Sequence, residues 1–399
     1  MLLAHFPVVV VTGARQVGKS TLLAHHLQGI AEFVVFDPVV DVENARRDPE
    51  LFLENHPPPL VLDEVQYAPE LLPALKRRVD RDRRPGRYVL TGSQQWGVLR
   101  SVAESLAGRA VFLDLDGFTL AEAAGVGDRP HWLPRWLELA EAPGAGAFSR
   151  LTPRHGLLET LWRGTLPEAQ MLPREAVADF LAAYQRTYIE RDVRLLADVS
   201  DWQQFGRFMR LAAALTAQTV NFSQLGREIG VTPQTAGRWL DLLKATFQWF
   251  EVPSYSGNTI KRVASKPKGY IADTGIACLS LALSGPAALA SHPQWGHVFE
   301  TAVFAEVRKA ASLMSPAPKL HHWRTGAGAE VDLLLERDGR FFPIEVKAAS
   351  RVSRHDLSGI NAFRRTYPRE RVAPGLVVCP CEAFSRIAED AWAMPWDAI

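Results

Sequence analysis

The sequence predicts an α/β protein of more than one domain, and three stretches carry that prediction. In "VVVVTGARQVGKSTLLAHHL" a β-branched run enters a glycine-bearing loop and leaves it with helical apolar spacing. In "PPPLVLDEVQ" an apolar strand ends in two acids, and "VDLLLERDGRFFPIEVK" reads as two strands around an Asp-Gly turn. With 399 residues and 47% apolar side chains, the chain is long enough for two or three buried cores.

The first stretch contains Gly13-x4-Gly18-Lys19-Ser20, which places a phosphate-binding loop between a strand and a helix. Backbone N–H groups of Gly13, Ala14, Arg15, Gln16, Val17, Gly18 and Thr21 are expected to curl around the phosphates of ATP. The helix N-terminus adds partial positive charge, Lys19 reaches the β- and γ-phosphates, and Ser20 offers a hydroxyl to Mg²⁺. A dinucleotide loop is excluded, because the spacing is not G-x-G-x-x-G. In the second stretch Asp63 would hold Mg²⁺ through water and Glu64 would polarise the attacking water. A third strand, "RYVLTGS", ends in Thr91, Ser93 and Gln94. Polar groups at the carboxyl end of a parallel sheet meet ligands there, so Ser93 and Gln94 are read either as γ-phosphate sensors or as turn residues. Arg109 precedes a further strand and is assigned to the phosphates of its own or a neighbouring subunit, which brings a homo-oligomer into view.

Around "EAPGAGAFSRLTPRHG" small residues and prolines mark an exposed linker or lid edge. A run of helices follows, in which Glu190, Arg191 and Asp192 are read as nucleotide contacts from a lid or as a solvated face. "NFSQLGREIGVTPQTAGRWLDLL" has helix-turn-helix grammar: one helix stops at Gly230, and the next starts with Thr232 as N-cap and Pro233 in its first turn. The second helix would expose Gln234, Arg238 and Asp241, and a basic wing would carry Lys261, Arg262, Lys266 and Lys268 toward DNA phosphates. Asp241 argues against base reading, so DNA binding and a structural role both stay open. "KRRVDRDRRPGR" is a second basic candidate.

Asp338-Gly339 favours a two-residue hairpin loop that sets Arg337 opposite Arg340, Asp332 opposite Glu345 and Glu330 opposite Lys347. All four of the inner polar side chains then share one face, with Val331, Leu333, Leu335, Ile344 and Val346 on the other. Two carboxylates about 5 Å apart repel by roughly 3 kcal/mol at an effective dielectric near 20, and a divalent cation would reverse that sign. Oxygen ligands suit Mg²⁺, with Lys347 beside it to position a nucleophile; a solvated hairpin face is the alternative.

The formal net charge of +1 offers nucleic acid no long-range attraction, so any such contact must be local. Three cysteines cannot build a disulfide framework or a four-ligand zinc site. The longest apolar runs fall short of the roughly 20 residues that span a bilayer, and no signal peptide is recognisable, so the expectation is a cytoplasmic protein without a membrane partner.

Taken together, "GARQVGKST", "LVLDEVQYAPELLPALK", "YVLTGS", "SLAGR", "YIERDVR", "KPKGYIADTGIA", "FETAVFAEV" and "AEVDLLLERDGRFFPIEVK" resemble the bacterial and archaeal AAA-type ATPases that carry an uncharacterised C-terminal domain. The resemblance covers nearly all of the chain. It implies a P-loop NTPase domain with a parallel sheet and helices on both faces, residues 1–125, a helical lid or linker over 126–220, and a winged-helix segment over 221–280. A restriction-endonuclease-like α/β domain, similar to the PD-(D/E)xK nucleases, would fill 281–399. In that fold a helix glutamate, a strand aspartate and an E-x-K strand converge, and Glu300, Asp332, Glu345 and Lys347 match that set, with the three acids as metal ligands. The implied activity is Mg²⁺-dependent ATP hydrolysis coupled to a DNA-associated, nuclease-competent module, or else a switch whose C-terminal parts only bind DNA or protein. Members of the family usually have a longer approach to the first strand than the few residues before Phe6, which implies either incomplete adenine packing or a start further upstream.

Overall fold

The computed structural model describes residues 2–36, 42–93, 106–139, 144, 146–188, 193, 201–258 and 265–399. Gln94, Glu190, Arg191, Asp192, Lys261 and Arg262 lie outside the described residues. Two compact units emerge: one comprises 1–117 with 187–199 and 241–248, the other 118–186, 200–240 and 249–399.

The first unit is built on a five-stranded, wholly parallel sheet of β1 (Val8–Thr12), β2 (Glu32–Val35), β3 (Leu60–Asp63), β4 (Tyr88–Gly92) and β5 (Ala110–Asp114), in the order β2-β3-β4-β1-β5. Alternate residues of the central strands feed two cores, as the period of two requires. Val8, Val10, Leu60, Leu62 and Leu90 pack with Leu53 and with Leu71, Leu72 and Leu75 of the helix Leu71–Arg81. Val9, Val11, Val61 and Val89 face Leu23 of the helix Lys19–Leu27, α1. Helices therefore cover both faces, and all five strands point their carboxyl ends to one edge.

The second unit contains two sheets. A small antiparallel one has the order β6 (Gln218–Thr219), β8 (Lys268–Ile271), β7 (Trp249–Val252). The helices Phe222–Ile229 and Pro233–Ala245 meet at Gly230, whose φ of 80° supplies the left-handed turn, and the Thr232 hydroxyl accepts from the Thr235 amide as the N-cap. Gln234, Arg238 and Asp241 are exposed, as their spacing predicts.

The larger sheet is mixed. β9 (Lys319–Arg324), β10 (Glu330–Arg337) and β11 (Arg340–Val346) form an antiparallel meander, after which β11 continues parallel to β13 (Gly375–Cys379) and β13 to β15 (Ala391–Pro395), with β14 (Ser385–Ala388) at one edge. The short strand β12 (Arg371–Val372) pairs with β11. Asp338 and Gly339 have φ of 51° and 67°, and Arg337 pairs with Arg340, so the hairpin register is the one the Asp-Gly dipeptide predicts. The strict two-face alternation does not hold: an irregularity between Val331 and Leu334 in the β9 pairing lets those two residues share one core. Behind the hairpin runs the 18-residue helix Trp295–Ser312, α2, with Phe299, Val303 and Val307 buried as one stripe. Among the described residues no helix is long and apolar enough to cross a membrane.

Candidate functional sites

The loop from Gly13 to Thr21 joins β1 to α1 at the carboxyl edge of the parallel sheet. Gly13, at φ 149°, passes so close to the Leu115 carbonyl that a Cβ would come within 2.0 Å of it. Gln16 and Gly18 have φ of 59° and 96°, the left-handed turns that curl successive N–H groups inward. Gly18 also starts α1 without a side-chain cap, which leaves the first-turn donors to a ligand. Lys19 is buried, and its Nζ donates to the carbonyls of Gly13 and Ala14 at 3.0 and 2.9 Å, so the ammonium already lies on the loop. Arg15 donates to the Tyr67 hydroxyl at 3.2 Å.

Next to this loop β3 delivers Asp63. Its Oδ2 accepts from Ser20 Oγ at 2.7 Å and its Oδ1 from the Thr91 hydroxyl, which in turn accepts from the Glu64 amide at 2.9 Å. Ser20, Asp63 and Thr91 come from three separate elements and form one group of hard oxygens. Such a set fits Mg²⁺, and the inward-turned loop fits a polyphosphate. Glu64 sits in the left-handed region at φ 59°, which for a non-glycine residue marks a position held for a reason other than backbone comfort. Gln66 holds its carboxylate: the side-chain amide donates to Glu64 Oε2 and lies 3.4 Å from Ser93 Oγ. Gly92 lets it fit, because a Cβ there would stand 3.2 Å from Gln66 Oε1. Gln66 is the residue that sequence reasoning missed; its signal is a polar side chain two places after the acid pair.

Arg109 was expected at the phosphates of its own or a neighbouring subunit. It immediately precedes β5, at the amino edge of a sheet whose phosphate loop lies at the carboxyl edge, and both carboxylate oxygens of Asp80 hold its guanidinium, at 2.5 and 3.0 Å. It does not reach the phosphates of its own subunit. The basic cluster around it is likewise engaged: Arg77 and Arg78 pair with Glu50, Arg83 with Asp80, and Arg84 and Arg87 with Asp82.

In the second unit the structure brings Glu300 of α2, Asp332 of β10 and Glu345 of β11 into one buried cluster with Lys347. Lys347 Nζ donates to Glu345 Oε2 at 2.9 Å and lies 3.9 Å from Asp332 Oδ2, which also accepts from the Val346 amide at 2.9 Å. The cluster has two further members. Glu330 joins the acids, and Lys268, expected on an exposed wing, is buried at its centre, with Nζ 2.7 Å from Glu300 Oε1, 2.8 Å from Glu330 Oε1 and 3.2 Å from Asp332 Oδ1. The Tyr270 hydroxyl donates to the same Glu300 oxygen at 2.7 Å.

Four carboxyl groups and two ammonium groups in a largely buried site favour protonation of the surplus acids. Burial, then the Asp332 charge, raises Glu300 to about 7 against the relief given by Lys268. Burial and Asp332 likewise push Glu345 well above the usual carboxylate range; its Oε1 is buried and receives no hydrogen bond among the described residues. Burial also opposes ionisation of Asp332, but Lys268, Lys347 and the Val346 amide outweigh it and hold the group below its ordinary value. Against the penalty of burial, Tyr270 and then Glu300, Asp332 and Glu330 hold Lys268 well above the usual lysine range. Among the described residues no group of three or more acids, histidines or cysteines has metal-binding geometry. Glu300, Asp332 and Glu345, the expected metal ligands, meet here with Lys268 and Lys347. The residues converge as the resemblance implies, yet a lysine ammonium stands among them, so Mg²⁺ does not fit the cluster as built.

The parallel sheet, the loop and the acid-tipped β3 define an AAA-type P-loop ATPase domain, and a family model described as an AAA domain matches residues 5–124. Two domains of unknown function, DUF8612 and DUF4143, match residues 154–287 and 295–399. The uncharacterized proteins Rv2008c of Mycobacterium tuberculosis and Mb2031c of Mycobacterium bovis are each 30% identical to this chain over 394 residues, 98% of its length and 81% of theirs. The chain belongs to the family of these mycobacterial proteins. Among solved structures, the Thermotoga maritima RuvB Holliday junction branch migration motor is 18% identical over 65% of this chain and 87% of its own, with a TM-score of 0.28. A Pyrococcus horikoshii signal-transduction ATPase with a tetratricopeptide repeat sensor is 10% identical over 76% and 45%, with a TM-score of 0.22.

Proposed function

We propose that the protein hydrolyses ATP with Mg²⁺ and uses the nucleotide cycle as a switch on DNA. The observation that supports hydrolysis best is the oxygen group of Ser20, Asp63 and Thr91 beside a glutamate held at a left-handed backbone position. In this reading the loop amides grip the phosphates, and Lys19 exchanges the Gly13 and Ala14 carbonyls for phosphate oxygens. Ser20 and Asp63 hold Mg²⁺, which when bound supplies neutralisation of phosphate charge. Glu64 orients and polarises the attacking water, and Gln66 keeps its carboxylate aimed. Glu64→Gln is expected to retain ATP binding while turnover falls about 10²- to 10⁴-fold, measured as steady-state phosphate release beside equilibrium nucleotide binding. Unchanged turnover would remove Glu64 from this role.

The DNA half is supported by the two helices joined at Gly230 beside the three-stranded sheet, which suits a winged-helix reading, with Arg227, Arg238 and Lys266 exposed. Lys268 no longer counts toward a basic wing, because its charge is spent inside the carboxylate cluster. Duplex DNA titrated by fluorescence anisotropy should bind with a salt dependence that weakens in Arg238→Ala. Absence of binding at low salt would leave a protein partner as the object of the switch. In this reading the C-terminal module binds without phosphodiester cleavage, since the acids that would perform it already surround a lysine.

A further inference from the structure

We infer that Lys268 is the resident cation of the C-terminal carboxylate cluster: its ammonium takes the position that a divalent metal takes in a nuclease site, and the wild-type cluster binds no such metal. This inference concerns the second unit alone and stands whether or not the ATPase reading holds.

Three observations converge on it. Carboxylate oxygens from α2 and from two positions of β10 meet at Lys268 Nζ at 2.7, 2.8 and 3.2 Å. Those are ammonium hydrogen-bond lengths, and they engage one oxygen of each of the three acids. The lysine is also fixed by its backbone. It lies on the central strand β8, paired with Thr219 on one side and Val252 on the other. Its neighbour Gly269 is pressed against Trp249, where a Cβ would come within 2.1 Å of Cζ2. Tyr270, on the same side of β8, stacks on Phe304 with ring centroids 3.9 Å apart and donates to Glu300. Two successive inward residues of one strand therefore serve the helix glutamate. Finally, the other wall is closed: a Cβ on Gly359 would stand 2.5 Å from Glu345 Oε1 and 1.7 Å from the Glu330 carbonyl, so the chain lies directly on the acids.

The test uses the full chain without nucleotide and Mn²⁺ as the probe. Electron paramagnetic resonance should detect no Mn²⁺ bound to the wild type at the cluster, and one equivalent bound to Lys268→Met that is lost again when Asp332→Asn is added. Wild-type binding that disappears in Asp332→Asn would overturn the inference, as would a folded Lys268→Met protein that binds none. A second measurement needs no cluster variant: amine-directed acetylation of the wild type, read by mass spectrometry, should leave Lys268 unmodified at all Mn²⁺ concentrations. Labelling of Lys268 that rises with Mn²⁺ would show the metal displacing the ammonium and would overturn the inference on its own.

Discussion

Lys19 and Lys268 are both buried lysines set among oxygens, and the oxygens differ. Lys19 rests on the neutral carbonyls of Gly13 and Ala14, while Lys268 is ringed by Glu300, Glu330 and Asp332. A carbonyl gives up an ammonium readily when phosphate charge arrives; three carboxylates do not. Convergence of the expected residue types is thus a weak guide to what a site holds, and the balance of charge left over after the protein has satisfied itself is a stronger one.

The contrast predicts opposite phenotypes. Lys19→Ala should abolish tight ATP binding, seen by titration with a fluorescent nucleotide, and leave the melting temperature nearly unchanged in the absence of nucleotide. Lys268→Met should do the reverse, keeping ATP affinity while losing about 3–5 kcal/mol of stability in denaturant unfolding, because removing one partner strands buried acids. Equal stability of that variant and wild type would erase the distinction between the two lysines. The pH response sharpens it further. Burial and the Asp332 charge push Glu300 up to about 7 in the folded chain, above the ordinary glutamate value near 4.5, so the folded state retains a proton that the unfolded state has released, and stability falls as pH rises between those values. Glu300→Gln should flatten that fall, by up to on the order of 3 kcal/mol, in melts recorded across the window. The smallest effect is expected at Gln66→Ala, where turnover drops about tenfold with little change in ATP binding, since only the bond that aims Glu64 is lost.

Much of this was legible in the sequence where local chemistry decides the outcome. The Asp338-Gly339 dipeptide set the hairpin register, Gly230, Thr232 and Pro233 set the helix junction, and the loop around Lys19 followed from its glycines and its flanking patterns. What escaped depends on pairings distant along the chain. Lys268 precedes β10 by more than sixty residues and follows other basic residues, so it resembled one more wing cation; only the packing of β8 beside α2 and β10 turns it inward. Its faint signal was the alternation of Lys268 and Tyr270 in a strand otherwise suited to burial. Arg109 shows the complementary point for its own subunit, because an arginine near a phosphate-loop domain says nothing about which edge of the sheet it faces, and Asp80 holds it at the edge opposite the loop.

The tethering of the Lys268 charge to β8 has one more consequence. A dissolved ion can be chelated or dialysed away, whereas a counter-charge anchored to the main chain arrives in fixed stoichiometry with every molecule made. The fold of the second unit should therefore be indifferent to EDTA and to swings in magnesium supply.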